Sequence, residues 1–496
     1  MKKRNVLLNL VIGFVTIVSS CQSDLYPAES RLETLMNINE SNMKNILKYL
    51  VVVFLLGACE KEKTVILDLS ATKDEVSRIE LRADHKTLLP NGIAKMEFYP
   101  VVYGKKTVGL YNKNDEGEYI AGETEVEYLI PNDILPQNYV KVYDSNGNEI
   151  IDNVYSAETD VSGNVIEFYA KAGDVVSNKL SVTIRSLPDE SYEELIIPVI
   201  FHFLLPPTIT GPTFDVSVEY LENVLQRMND VFNRRVTLDP NGGNAKITFK
   251  LALYNNAGIL LQEPGKHVVQ LSQSNMSLIG SYADQNSSSL SIAYNKFIMR
   301  YRSSFLWDPN KYLNIWIARK SGGGDYYDLA AYQSEYPKVI HSDYSSEPIP
   351  GLEHITVVNN YVSSDVKDCL DVGIILNYDS FLNPTTNYSL AKILGRYCGL
   401  FYTDQGNNDK VVDGDNDFCA DTYFYYSSYN ASIFKNNRLY REDADAEYEW
   451  FTSFNVMDNY SRKNSISVDQ ALRMRHVLKS CPSRWAYKSN WAFTGK

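Results

Sequence analysis

The sequence predicts a multidomain α+β chain, with an N-terminal β-sandwich followed by a mixed α/β domain. Two observations carry that prediction. Over residues 64–187, short stretches of alternating apolar and polar residues are separated by turn signals, with no helical period among them. After a short linker at 188–195 the texture changes to apolar strands interleaved with amphipathic helices, and it stays so over 196–496. A chain of 496 residues is long enough for more than one core.

The first element is a leader over 1–58. Residues 1–21 read as a signal peptide: Lys2, Lys3 and Arg4, an apolar run over 6–18, then Cys21. A second such unit starts at Met43, with Lys44 and Lys48, an apolar run over 50–56, and Gly57-Ala58-Cys59. Leu56-Gly57-Ala58-Cys59 resembles a bacterial lipobox, which implies cleavage before Cys59 and lipidation of its thiol. Met43 is then the expected true start. The apolar run is too short for a membrane span. A charged tether, 59–63, follows the anchor, and the residue after Cys59 is Glu60 rather than aspartate. That pattern resembles outer-membrane sorting, so an outer-membrane lipoprotein facing the periplasm or the cell surface is expected. The net charge of −13 and pI of about 5.1 argue against nucleic acid as a partner, and membrane contact is expected through the N-terminal lipid alone.

Within 64–187 the alternating segments are 78–82, 95–99, 139–143, 165–169 and 179–184. Pro90-Asn91-Gly92 and Asp144-Ser145-Asn146-Gly147 are the turn signals among them. The region resembles bacterial immunoglobulin-like modules. It carries no residues arranged for chemistry, and its expected role is to space the second domain from the membrane.

In 196–496 the first strand is 196–203, apolar throughout. A helix over 218–232 places Leu221, Val224, Leu225, Met228 and Phe232 on one face. Further strands are predicted at 247–253, 312–318 and 357–360, and further helices at 389–400 and 469–478.

The segment Ser389-Leu390-Ala391-Lys392-Ile393-Leu394-Gly395-Arg396-Tyr397-Cys398-Gly399-Leu400-Phe401-Tyr402 is the most specific one. It resembles the active-site helix of the pappalysin-like metzincins, a family of zinc metalloproteases. In that family two histidines one helical turn apart and a third after a glycine turn hold zinc, and a glutamate beside the first activates water. Leu390, Ala391, Leu394, Gly395, Tyr397, Gly399, Leu400 and Phe401 match the scaffold of that motif. The reactive positions do not. Lys392 stands at the first histidine, Ile393 at the glutamate, Arg396 at the second histidine and Tyr402 at the third.

Zinc takes lone pairs from imidazole, thiolate or carboxylate, and protonated Lys and Arg have none to give. Ile393 accepts no proton, so base catalysis is absent too. The six histidines never fall three or four residues apart, so their spacing shows no compensating site. No zinc is expected. The resemblance extends to Cys419-Ala420-Asp421-Thr422, to Met457 and Tyr460 in Asn455-Val456-Met457-Asp458-Asn459-Tyr460, which looks like the methionine turn beneath the metal, and to Gln470, Arg473, Met474 and Arg475. It implies a metzincin-like domain over 196–496.

Two further groups stand out. Asp413, Asp415 and Asp417 crowd one loop and suit a hard cation such as calcium, the alternative being a solvated acidic loop. Cys369, Cys398, Cys419 and Cys481 form an even set in an exported chain, which suggests one or two disulfides. Three functional readings follow. The first is a pseudoprotease that binds a polypeptide or an envelope protein without cutting it, with Lys392 and Arg396 placing positive charge at the cleft floor. The second is an active zinc metallopeptidase with non-standard ligands. The third is a structural or adhesive envelope lipoprotein.

Overall fold

The computed structural model describes residues 64–65, 76–113, 117–131, 134–186, 191–207, 216–236, 239–284, 290–318, 349, 366, 368–382, 387–405, 417–426, 438–440, 450–458 and 464–492. The leader, Cys59, the strand predicted at 357–360, Asp413, Asp415 and Tyr460 lie outside them. The chain divides into two compact units, Met1–Ser70 with Lys106–Val126, and Ala71–Lys105 with Glu127–Lys496. In the first, Thr64 and Val65 pair antiparallel with Tyr111 and Leu110.

The second unit opens with two sheets. Strand β1 (Val76–Ala83) runs antiparallel to β2 (Met96–Lys113), which also pairs with β3 (Tyr119–Ile130). The other sheet is built on β4 (Lys141–Asp144), β5 (Val165–Ala172) and β6 (Leu180–Ile184). Period-two alternation turns Ile79, Leu81 and Ala83 of β1 inward, where they share one apolar cluster with Phe98, Val142, Phe168, Ala170, Val182 and Ile184. Thr183 and Ile184 of β6 pair parallel with Thr87 and Leu88.

A parallel sheet follows. Strand β7 (Leu195–Leu205) is flanked on one edge by β8 (Ile247–Leu251) and then β9 (Lys266–Gln270), and on the other by β10 (Leu313–Ala318) and β11 (Gly373–Asn377). Buried on both faces, β7, β10 and β11 read as apolar runs rather than as alternations, while β9 alternates between buried and exposed residues. Helix α1 (Val218–Phe232) keeps its predicted bounds and buries its predicted face against one side of the sheet. Helices α2 (Gln273–Asp284) and α3 (Leu290–Arg300) belong to the cluster on the other side, with Leu204 and Trp316. Helices α4 (Asn387–Tyr397) and α5 (Val468–Ser480) pack into the α1 side. Among the described residues, no helix is long and apolar enough to cross a membrane.

Candidate functional site

Helix α4 carries Lys392, Ile393 and Arg396 of the segment expected to resemble the zinc motif. Leu390, Ala391, Leu394 and Tyr397 face the core, each no more than 4% exposed. Gly395 lies over the sulfur of Met457: a Cβ there would sit 2.9 Å from Sδ. The predicted methionine turn is therefore directly beneath the helix. It is held by Asn455, whose Oδ1 accepts from Met457 N at 2.9 Å and whose Nδ2 donates to Gln470 Oε1 at 2.8 Å on α5. Gln470 also closes a capping box with Ser467 at the start of α5.

The helix ends at Tyr397, two residues before the positive-φ residue Gly399 (φ +93), which reverses the chain. Leu400 N donates to Gly395 O at 2.9 Å, and Arg473 Nε donates to Gly399 O at 2.7 Å, fixing the turn from α5. The reversal brings Tyr402 back over α4. Its ring centroid lies 4.3 Å from Lys392 Nζ and 4.3 Å from Arg396 Cζ. The three positions where the family motif has histidine thus converge in space, and a cation–ring–cation cluster occupies them. Ile393, at the glutamate position, is 6% exposed and joins the apolar core.

This donor set does not fit zinc. Lys392 Nζ donates to Asp458 O at 3.2 Å and lies 3.8 Å from Asp404 Oδ1. Burial pulls the Lys392 pKa down, while Asp404 and Asp458 oppose that shift. Asp458 is itself 1% exposed and accepts from Ser453 Oγ at 2.6 Å and from Thr403 Oγ1. Burial raises its carboxyl to about 6. The cluster is thus an internal ion network joining α4, the Tyr402 segment and the methionine turn. Arg396 is 1% exposed, so the expectation of two cations on an open cleft floor is corrected: both cations are drawn in around Tyr402.

Other predicted residues separate. Cys369, Cys398, Cys419 and Cys481, the residues of the disulfide expectation, are free thiols in buried positions. Cys369, Cys398 and Cys481 belong to three different apolar clusters, where each packs as a small hydrophobe. Of the loop carboxylates only Asp417 is described. It turns inward, accepting from Thr422 Oγ1 at 2.7 Å and from Cys419 N at 3.1 Å.

Sequence spacing missed a histidine pair. Parallel register sets His202 beside His267 across β7 and β9, with their Nδ1 atoms 2.8 Å apart. Asn314 Oδ1 already accepts from Trp307 N, so His202 Nε2–H donates to it at 2.9 Å, and His267 Nδ1–H donates to His202. Spacing along one helix cannot reveal a contact made by strand register. Among the described residues, no group of three or more His, Cys, Asp or Glu could hold a metal ion.

No family model and no curated protein matches the chain. Solved structures similar to it are of mirolysin. Mature mirolysin of Tannerella forsythia in complex with a cleaved peptide is 15% identical, with a TM-score of 0.36, covering 60% of this chain and 96% of that one. A Tannerella forsythia promirolysin variant is 16% identical at a TM-score of 0.37, covering 61% and 86%. Mirolysin in complex with compound 9 is also 16% identical at 0.37, covering 61% and 100%.

Proposed function

We propose that the chain is an exported, lipid-anchored pseudo-metalloprotease of metzincin type, which binds a polypeptide or an envelope partner without cleaving it. The observation that carries this reading is the convergence of Lys392, Arg396 and Tyr402 on one point, with Ile393 in the core beside them. The scaffold that would present three ligands is kept, namely the glycine turn at Gly399 and Met457 under Gly395. The side chains that would use it are replaced together. The lipid anchor at Cys59, an immunoglobulin-like assignment for the sandwich and a calcium ion on Asp413, Asp415 and Asp417 belong to the same proposal.

Metal content measured by mass spectrometry after zinc incubation and desalting tests it. The expected result is zinc below about a tenth of an equivalent, because no ligand set is present. The same sample reads calcium. A variant combining Lys392→His, Ile393→Glu, Arg396→His and Tyr402→His is expected to hold about one equivalent of zinc, since it returns three ligands to converging positions. Near-stoichiometric zinc in the unmodified chain, with chelator-sensitive cleavage of a protein substrate, would sink the proposal.

A further inference from the structure

The N-terminal sheets are not attached to the rest of the second unit by a linker alone. The loop at 239–243 is wedged between them and the segment 465–467 that leads into α5. On one side Asn241 Oδ1 accepts from Leu89 N at 2.7 Å and Asn241 Nδ2 donates to Thr87 O at 2.8 Å, while Asn91 Nδ2 donates to Pro240 O at 2.9 Å. On the other side Gly243 N donates to Ile466 O at 2.7 Å. A Cβ at Gly242 would stand 2.3 Å from Ser465 Oγ, and one at Gly243 2.4 Å from Ser467 O, so the fit leaves no room for a side chain.

A second line of contact joins β1 and β2 to the short strand Trp450–Thr452. Tyr99 Oη donates to Trp450 O at 2.5 Å with the two rings stacked at 4.5 Å, and Thr452 N donates to Asp84 O at 3.1 Å. From there the chain runs straight into the turn. Ser453 donates to the Asp458 carboxylate, Thr403 donates to it from the Tyr402 side, and Asp458 O receives Lys392 Nζ.

We propose that the N-terminal sheets act as a brace for the candidate site, with Asn241 and Tyr99 as positioning residues that hold the Met457 turn and the Lys392–Tyr402 cluster together. The brace concerns how the cluster is held and does not depend on what the protein binds. The physical basis is that Leu89 and Thr87 are buried and that Asn241 takes Leu89 N and Thr87 O in place of water, Leu89 O being taken by Asn91 N. Losing that side chain releases the β-sheet side of the loop, and the 465–467 segment on its other side, which bonds Val456 N through Ser465 O, loses its backing.

Hydrogen exchange read by mass spectrometry on the full chain tests the brace. Asn241→Ala is expected to speed exchange roughly tenfold in peptides covering 399–405 and 453–458, the scale of one or two lost buried hydrogen bonds. Peptides of α2 and α3 are expected to stay unchanged. Exchange at 399–405 as slow as in the unmodified chain, or a uniform rise that includes α2 and α3, would overturn the proposal. Tyr99→Phe removes one hydrogen bond and keeps the stack, so it decides the matter even if Asn241→Ala fails to fold. A rise of roughly two- to fivefold in the same two segments supports the brace, and a rise confined to 96–102 and 450–452 overturns it.

Discussion

Asp458 is where the electrostatics of the site act on stability. Its folded pKa is raised to about 6 from 3.8 by burial, so the fold favours its protonated form. Stability from this group is present at pH below 3.8 and is lost as pH rises through about 6. The expected outcome is that Asp458→Asn gains on the unmodified chain as pH climbs through that window, read by urea denaturation at several pH values. A difference that stays flat across the window would refute the assignment. Lys392 offers the complementary test. Replacing it with Met removes the ammonium beside Asp404 and Asp458, and a loss of roughly 1–3 kcal/mol is expected, moderated because the lysine is not wholly buried. The urea midpoint at pH 7 reads it, and an unchanged midpoint would show that the lysine does not hold the network.

Helix α4 sets the geometry through two glycines that differ in what surrounds them. Gly399 combines φ +93 with a Cβ position 2.5 Å from Val477 Cγ2, so Ala is both strained and crowded there. Gly395 has ordinary backbone and faces Met457 Sδ, the adaptable part of a flexible side chain. Gly399→Ala is expected to cost about 2–4 kcal/mol and Gly395→Ala about 1 kcal/mol. The order of the two thermal midpoints checks the argument, and a reversed order would contradict it. Elements with strong period were legible in sequence: α1 folds over its predicted range with its predicted face buried. Helices α2 and α3 and strands β9 and β11 were not named beforehand. α2 and α3 have weaker apolar faces, and β9 and β11 are short strands that take their identity from pairing with β7 and β10.

Across the whole molecule, acid acts in opposite directions at different sites. Burial holds His202 near a pKa of about 3, so its contribution is complete above 6.5 and is lost as pH falls. Asp417, Asp421 and Asp458, each raised to about 6, contribute in the reverse sense. The cysteines supply the other global test. Burial raises the thiols of Cys398 and Cys481 to about 12 and also raises those of Cys369 and Cys419. A chain beginning after Cys59 is expected to show none of its four thiols reactive while folded and all four once unfolded without reductant. Fewer than four after unfolding would mean that a disulfide forms.

The sequence by itself determined the order of β-rich and α/β regions, the helix at 218–232 and the side-chain chemistry at 392, 393, 396 and 402, where Lys, Ile, Arg and Tyr offer no imidazole or carboxylate. These are local properties: periodicity and side-chain chemistry are written residue by residue. Tertiary structure alone decided that Lys392 and Arg396 turn in on Tyr402, that His202 meets His267, that the cysteines stay apart, and that Asn241 joins the N-terminal sheets to the methionine turn. Each of these depends on strand register, on a chain reversal, or on contacts between residues far apart in the chain. Spacing along the chain carries no record of them.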